Sequence, residues 1–298
     1  MASSSSIKPL RGIRVASLAL NLPGPAALMR LRAWGARCTK IEPPKPKGGV
    51  SADPMGQYAP HAYGIMHEGV RVLEADLKSV KGQAALHREL ARTDVLLTSF
   101  RPSALHKLGL GWKALHAQHP QLSLLTIVGA PRERAEEPGH DLTYLAEAGL
   151  VPTLDLPATL FADMAGALMS SEAVLAAVLA SRAGGKGVRQ EIALSEAAAW
   201  LALPRTWGLT KSSGTVGGAH AGYRVYACKD GRVALAALEP HFAASLCNLV
   251  GLPASDMRTL YDPATRQAIA RSAGRKTRAQ LDALAIEHDI PLHTLPKE

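Results

Sequence analysis

The pattern of apolar and polar positions in the first half of the chain predicts strands and helices in a repeated order. Short apolar runs predict strands, and apolar residues at three- and four-residue spacing predict helices. Five strands are predicted in this way, at residues 12–18, 38–42, 73–77, 94–98 and 122–128. Helices are predicted between them at residues 26–34, 81–92 and 105–119. This alternation of strands and helices favours an α/β fold with a doubly wound, Rossmann-like parallel sheet.

The second half of the chain changes in character at a segment rich in glycine and serine. Before it, the pattern predicts helices and one strand, at residues 159–179, 191–194 and 195–207. After it come a hairpin around Lys229–Gly231 and two helices, at residues 240–250 and 276–287. We therefore predict a large α/β domain over residues 1–209, a linker over 210–222 and a smaller α+β lobe over 223–288. Residues 45–63, rich in proline, glycine and lysine, predict a loop.

Composition narrows the class of protein. The chain has 298 residues, of which 47% are hydrophobic and 20% charged, as in ordinary globular proteins. Three widely spaced cysteines predict neither a disulfide framework nor a metal site. The polar stretch 1–6 lacks the apolar core of a signal peptide, and the longest apolar run, near residues 173–180, predicts a buried helix rather than a membrane span. A cytoplasmic protein without membrane contact is expected.

A formal net charge of +9 suits an anionic partner or a generally basic surface. No nucleic-acid-binding motif accompanies it, so we expect no nucleic-acid partner. The first strand is not followed by the glycine pattern of a dinucleotide site, and neither a phosphate-binding P-loop nor a serine nucleophile elbow occurs. Arg101 and Lys107 follow the fourth strand, where open sheets bind ligands, and either hold phosphate oxygens or are ordinary surface charges.

His140, Asp141 and Asp163 are the main candidates for proton-transfer chemistry. Histidine accepts and donates protons near neutral pH, and Asp163 lies among apolar residues where a carboxyl group is expected to be partly buried. Each residue also has a structural explanation, because Asp141 can cap a helix, His140 can be a loop residue and Asp163 can face a helix dipole. Glu239 lies at a strand end and is by default a surface carboxylate.

Motifs spread over nearly the whole chain, in order, resemble the family III CoA-transferase and racemase group, particularly its α-methylacyl-CoA racemases. The motifs that carry this resemblance are Pro23-Gly24-Pro25, Lys40-Ile41-Glu42-Pro43-Pro44, Asp76-Leu77-Lys78, Phe100-Arg101-Pro102, Leu108-Gly109-Leu110-Gly111, Gly139-His140-Asp141 with Tyr144, Ala162-Asp163 and Gly217-Gly218-Ala219. The resemblance implies the fold of that family, an acyl-CoA partner and an interlocked homodimer. It also implies that CoA enters as part of the substrate, with no prosthetic group.

The resemblance implies roles for individual residues. His140 and Asp163 would exchange the α-proton of a 2-methylacyl-CoA from opposite faces, with Glu239 supporting the imidazole. Arg101 and Lys107 would meet the CoA phosphates, while Arg71 and Tyr144 are further candidates for CoA binding. In the transferases of the group, the position of Asp141 is the nucleophile. CoA transfer through Asp141 is therefore the alternative reaction.

The chain also departs from the family pattern at three places. The basic run before the third strand is reduced to His67-Glu68-Gly69-Val70-Arg71, and the turn after the fifth strand has become Val128-Gly129-Ala130-Pro131-Arg132. Residues 289–298 are expected to form a shortened segment where family members return to the first domain. These departures leave a CoA-binding protein without catalysis as a third hypothesis.

Overall fold

The computed structural model describes residues 7–253 and 257–297. The chain divides into two compact units, residues 1–202 and 203–298. The polar stretch 1–6, on which the expectation of no signal peptide rests, lies outside the described residues.

A six-stranded parallel sheet forms the centre of the first unit, which confirms the predicted α/β class. Its strands are β1 (Arg14–Ser17), β2 (Arg37–Glu42), β3 (Arg71–Glu74), β4 (Val95–Thr98), β5 (Ser123–Val128) and β6 (Arg189–Ala193). The order β3-β2-β1-β4-β5-β6 is that of a doubly wound sheet, and the direction of winding reverses between β1 and β4. All five strand pairs are parallel. Ligands are expected outside the carboxyl ends of the strands at this reversal.

Helices cover both faces of this sheet because alternate strand residues point to opposite sides. The helices are α1 (Pro23–Ala33), α2 (Pro54–Tyr58), α3 (Pro60–Met66), α4 (Val80–Leu90), α5 (Pro102–Lys107), α6 (Trp112–Gln118), α7 (Asp141–Glu147), α8 (Phe161–Gly184) and α9 (Leu194–Leu201). Val15 packs with α1 and α8 on one face, and Ala16 packs with α4 on the other. Both apolar faces are thereby removed from water.

Helix α8 is long and apolar enough to cross a membrane by length and composition alone. Half of its most apolar stretch is buried within the first unit. Ala173, Val174, Ala177 and Val178 belong to the same core cluster as residues of α1 and β5. This packing is typical of a central helix in a globular unit. The helix continues to Gly184, beyond the predicted end at residue 179, and ends at Gly185 in the left-handed conformation that favours glycine.

The predicted loop over residues 45–63 is wrong in its second half, which contains α2 and most of α3. Both helices begin at a proline, a residue suited to the first turn because it has no N–H to satisfy there. Asp53 caps α2 by accepting a hydrogen bond from the Met55 N–H at 3.0 Å. The prolines that favoured a loop in the prediction are here the first residues of two helices.

A buried polar cluster, formed by Lys40, Glu42, Ser51, Asp53 and Tyr63, fixes the same segment to the end of β2. Lys40 is fully buried and forms ion pairs with Asp53 and, at 3.1 Å, with Glu42. Glu42 also accepts hydrogen bonds from Ser51 and, at 2.8 Å, from Tyr63. Burial alone would raise the pKa of Glu42, but Ser51 and Lys40 lower it below its ordinary value. One cation thus faces two carboxylates, and the hydroxyl groups of Ser51 and Tyr63 add hydrogen bonds to Glu42.

Other differences from the predicted elements are shifted ends and divided helices. Strand β3 begins two residues earlier than predicted and ends at Glu74. The helix predicted over residues 105–119 is divided into α5 and α6, with Gly109 between them in the left-handed region.

The second unit contains the predicted hairpin within a three-stranded antiparallel sheet. Its strands are β7 (Tyr223–Cys228), β8 (Gly231–Ala236) and β9 (Leu292–Pro296). The helices of this unit are α10 (Leu203–Thr206), α11 (Pro240–Leu249), α12 (Pro263–Gly274) and α13 (Arg278–Glu287). Strand β9, from the shortened segment expected over residues 289–298, pairs with β8 inside the second unit. The apolar core of the second unit includes Val233, Leu246, Ile269 and Leu281.

Candidate active site

A cleft with a volume of about 160 Å³ lies at the carboxyl ends of β1, β4 and β5 in the first unit. This is the place where the sheet reverses its winding, as expected for a ligand site. The residues that line it are Leu20, Asn21, Pro23, Ser99, Arg101, Ile127, Val128, Gly129, Ala135, Glu137, Gly139, His140, Tyr144, Asp163 and Leu194. Four residues predicted from the sequence, His140, Asp163, Arg101 and Tyr144, therefore share one cleft.

His140 immediately precedes α7, and its backbone is extended. The Thr143 hydroxyl accepts a hydrogen bond from the His140 N–H at 3.0 Å, so the first turn of the helix fixes the position of this residue. The His140 side chain is exposed and lines the cleft.

Asp141 is the first residue of α7, but its carboxylate serves a different helix. It is only 5% exposed, and its Oδ1 accepts a hydrogen bond from the Asp163 N–H at 3.0 Å. Asp163 lies in the first turn of α8, where backbone N–H groups have no partner within the helix. Asp141 therefore caps the beginning of α8 from outside and fixes Asp163 next to α7.

Asp163 carries the strongest electrostatic perturbation in the cleft. Burial and the neighbouring negative charge of Asp141 raise its pKa to about 6, while His140 acts in the opposite direction. Burial acts on the charged form, which is poorly solvated, and a like charge adds to that cost. A carboxyl group with this pKa exchanges protons near neutral pH.

Tyr144 of α7 forms one wall of the cleft, and two glycines make room for its ring. A Cβ atom at Gly139 would lie 2.6 Å from the Tyr144 Cε1 atom, and one at Gly129 would overlap the Tyr144 hydroxyl. Burial and the charge of Asp163 raise the pKa of Tyr144, which is therefore a neutral phenol at physiological pH. Gly129 and Gly139 therefore leave the space that the Tyr144 side chain occupies.

Arg101 is the only arginine among the residues that line this cleft, and it follows β4 directly before α5. Lys107 is exposed at the end of α5 and does not line the cleft. Glu239 lies in the second unit at the residue before α11, and its role stays a prediction. Neither Lys107 nor Glu239 is among the residues that line the cleft.

Arg71 lies elsewhere, at the beginning of β3 and thus at the amino edge of the sheet. Its guanidinium donates a hydrogen bond to Glu89 at 3.3 Å. Because the cleft lies at the carboxyl edge of the sheet, Arg71 does not join His140 and Asp163. The role of Arg71 in CoA binding stays a prediction from the family resemblance.

Asn21, Ser99 and Glu137 line the cleft but were missed from the sequence. The Ser99 hydroxyl accepts a hydrogen bond from the Leu20 N–H at 3.0 Å, which joins the loops after β1 and β4. The Asn21 N–H donates to the buried Asp53 at 3.1 Å, and Asn21 adopts a left-handed conformation. Ser99 and Asn21 follow predicted strands closely, which was the available signal, whereas Glu137 had no such signal. Within the described residues no group of three or more potential metal ligands is found.

The sequence is similar to those of proteins that act on CoA thioesters. A sequence model of CoA-transferase family III matches residues 10–296. The α-methylacyl-CoA racemase of Homo sapiens is 29% identical over 293 residues, covering 91% of this chain and 73% of that protein. A succinyl-CoA–D-citramalate CoA-transferase of Chloroflexus aurantiacus is 34% identical over 136 residues, covering 43% of this chain and 33% of that protein.

Solved structures agree with the fold. The crystal structure of a Mycobacterium tuberculosis protein superimposes with a TM-score of 0.79 at 23% identity, covering 96% of this chain and 83% of that one. A CaiB/BaiF family protein from Brucella suis gives a TM-score of 0.75 at 24% identity, with coverage of 96% and 83%. At these identities the likeness extends to the fold alone.

Proposed function

The chain belongs to CoA-transferase family III, and we propose that it racemises 2-methylacyl-CoA thioesters by exchanging the proton on the α-carbon. The family includes racemases and CoA-transferases, and this chain is similar to members of both kinds. Both reactions use acyl-CoA substrates. The distinction between them must come from the residues in the cleft.

The observation that carries the proposal is the pairing of His140 with a carboxyl group whose pKa is raised to about 6. Racemisation needs one group that removes a proton and a second that returns a proton to the opposite face. A group is most effective in both directions when its pKa lies near the working pH. Asp163 meets that requirement, and imidazole is the side chain best suited to be its partner.

In the proposed reaction, Asp163 as a carboxylate takes the α-proton and the C–H electron pair moves into an enolate on the thioester oxygen. Protonated His140 then donates its proton to the α-carbon from the other face. The product has the opposite configuration, and the enzyme is left with Asp163 protonated and His140 neutral. The opposite enantiomer reacts by the same steps with the roles exchanged.

We further propose that the phosphates of CoA bind to Arg101, whose planar guanidinium can hold two oxygens at once. Lys107, at the end of α5, is proposed to add a second positive charge further along the CoA molecule. CoA enters and leaves as part of the substrate, and the proposal includes no prosthetic group. A homodimer stays a prediction from the family resemblance, and a cytoplasmic location stays a prediction from the composition.

CoA transfer through Asp141 is the second candidate, favoured by similarity to CoA-transferases and by the position of Asp141 beside His140. A nucleophilic carboxylate must reach the thioester carbonyl. Asp141 is 5% exposed, and one of its oxygens accepts the Asp163 N–H. These two observations favour racemisation over transfer.

Incubation with a 2-methylacyl-CoA of one configuration in deuterated water separates the hypotheses. Deuterium at the α-carbon together with loss of chirality supports racemisation. An acyl adduct trapped on Asp141, without deuterium incorporation, overturns it in favour of transfer. Neither reaction, with CoA still raising the melting temperature, identifies a CoA-binding protein without catalysis.

Variants of the two proposed proton carriers test their roles individually. His140→Ala and Asp163→Asn should each abolish the loss of chirality, because inversion needs a proton carrier on each face of the α-carbon. His106→Ala is the matched control, since His106 is exposed at the end of α5 and does not line the cleft. Full racemisation by His140→Ala would remove His140 from the mechanism.

A further inference from the structure

A second cavity, of about 390 Å³, lies at the amino edge of the parallel sheet, opposite the edge that carries the cleft. Four arginines line it, namely Arg14, Arg37, Arg71 and Arg92. Glu89 is the only carboxylate in its lining as the structure describes it. Asp94 lies beside it and accepts the backbone N–H of Arg14. Even with both carboxylates counted, the cavity has an excess of two positive charges.

The strand register brings three of the arginines to one face. Arg14 of β1 pairs with Arg37 of β2, and Arg71 of β3 pairs with Thr39, two residues further along β2. Paired residues in neighbouring strands point to the same face, and so do residues two apart. Arg14, Arg37 and Arg71 therefore stand on one face in three successive strands.

Only part of this positive charge is neutralised by the protein. Glu89 is 7% exposed and accepts hydrogen bonds from Arg92 and, at 3.3 Å, from Arg71. Thr39 donates to the other oxygen of Glu89 at 3.0 Å, so the carboxylate is held in the floor of the cavity. Among the described residues, the side chains of Arg14 and Arg37 have no ion-pair partner.

Helix dipoles do not explain this arrangement. Helices α1 and α4 end at this edge, and cations are expected there because helix carboxyl ends are partly negative. Arg30 and Arg32 already occupy the last turn of α1, and Arg88 that of α4. Arg14 and Arg37 are strand residues, and like charges placed opposite each other across two strands are destabilising. A bound anion would remove that repulsion.

We propose that this cavity is a second anion site, separate from the cleft, which binds a diphosphate group. Guanidinium groups bind phosphate oxygens in pairs, and two neighbouring forks match two linked phosphates better than one. The volume is at the lower end of the range for small-molecule sites and would hold a diphosphate with part of an attached group. The diphosphate is either free or carried by a nucleoside.

Calorimetric titration of the full chain with pyrophosphate tests the proposal. Arg14→Gln combined with Arg37→Gln should weaken pyrophosphate binding by about tenfold or more, because two charge-assisted contacts are lost. Arg88→Gln is the matched control for general charge, since Arg88 is exposed on α4 and does not line the cavity. Arg101→Gln is the control for binding in the cleft. Both controls should change the affinity by less than about twofold.

Three results would overturn the proposal: no binding of pyrophosphate, an equal loss in Arg88→Gln, or a loss confined to Arg101→Gln. Far-ultraviolet circular dichroism of the double variant shows whether it is folded. Arg14→Lys combined with Arg37→Lys keeps the charge without the planar fork, and it should recover only part of the affinity. A parallel titration with ADP separates the two sources, since tighter binding of ADP indicates a nucleotide and equal binding indicates a free diphosphate.

Discussion

Asp141 affects the cleft through its charge as well as through the hydrogen bond that caps α8. Its negative charge is one of the two causes that raise the pKa of Asp163. Asparagine at this position keeps an oxygen that can accept the Asp163 N–H but removes the charge. The substitution therefore separates the electrostatic effect of Asp141 from its structural one.

Asp141→Asn should shift the acid limb of the pH profile for α-proton exchange to lower pH. Without the like charge, the pKa of Asp163 falls from about 6, so the carboxylate needed as base persists in more acidic solution. The measurement is kcat/KM for deuterium exchange against pH. Glu196→Gln, an exposed carboxylate on α9, should leave the profile unchanged. An unchanged acid limb in Asp141→Asn would contradict this electrostatic role of Asp141.

Asp163 should reduce the stability of the fold wherever it is ionised. Its pKa is raised from 3.8 to about 6, so within this pH range the folded chain binds a proton that the unfolded chain has already released. Stability consequently falls as pH rises through that range. Asp163→Asn removes this term and should be the more stable protein above about pH 6, by up to about 3 kcal/mol.

Thermal unfolding of the parent chain and Asp163→Asn measures this difference. The two melting temperatures should converge below pH 3.8, where Asp163 is protonated in both states, and separate above about pH 6. A variant that is less stable than the parent at neutral pH would contradict the assignment. Greater stability together with lost activity would show that burial of Asp163 has a cost in stability and a benefit in function.

Helix α7 packs against the end of β5 through the ring of Tyr144, and the fit tolerates no added atoms. Gly129→Ala should destabilise the protein by about 1–3 kcal/mol, because the new Cβ would overlap the Tyr144 hydroxyl. Tyr144→Phe removes that hydroxyl and should restore most of the lost stability in the double variant. Denaturant unfolding of the four proteins in the double-mutant cycle measures the coupling.

Gly139→Ala supplies the matched control for this prediction. Its Cβ would lie 2.6 Å from Cε1 of the Tyr144 ring, an atom that phenylalanine retains. Tyr144→Phe should therefore not rescue Gly139→Ala. Equal rescue of both glycine variants would show that the ring moves as a whole and that the hydroxyl is not the point of contact.

The elements that the sequence predicted well are those whose burial is regular. Strand β5 is buried at every position, and its apolar run was sufficient to predict it. Helices α2 and α3 were missed because Lys40 and Glu42 of β2 hold their segment through buried contacts with Asp53 and Tyr63. Helix α12 was missed because its pattern is short of apolar residues, and only Thr265, Ile269 and Ala273 are buried. Local patterns do not contain such tertiary contacts.

The candidate site could be predicted in part. Residues of α7 and α8 were identified by type and by resemblance, but the hydrogen bond from Asp163 to Asp141 joins positions 22 residues apart. No spacing rule predicts it, because the intervening loop sets the geometry. The separation of Arg71 from the cleft required the direction of β3 within the sheet, which only the strand pairing provides.

The whole molecule carries a formal net charge of +9, which should assist capture of an anionic substrate. Raising the ionic strength from about 0.1 M to about 1 M shortens the screening length from about 10 Å to about 3 Å. We expect KM for the acyl-CoA to rise while kcat stays the same, because the chemical step is shielded within the cleft. Steady-state kinetics over a salt series measures both values.

The control is a thioester of the same acyl group with N-acetylcysteamine, which lacks the CoA phosphates. Its KM should be insensitive to salt, since no phosphate is present to be attracted. Equal salt dependence for both thioesters would mean that salt acts on the protein itself. A falling kcat for the acyl-CoA would place the salt effect in the chemical step.

The buried polar cluster around Lys40 also has a consequence for how this sequence can evolve. Replacement of Lys40 alone would leave Glu42 and Asp53 buried without their cation, and breaking such a pair costs about 3–5 kcal/mol. Replacement of either carboxylate alone still leaves Lys40 paired with the other one. Single-step paths that begin at Lys40 therefore pass through the least stable intermediates. We expect Lys40 to change more slowly than Glu42 and Asp53 among descendants of this gene, although all three lie outside the reacting centre.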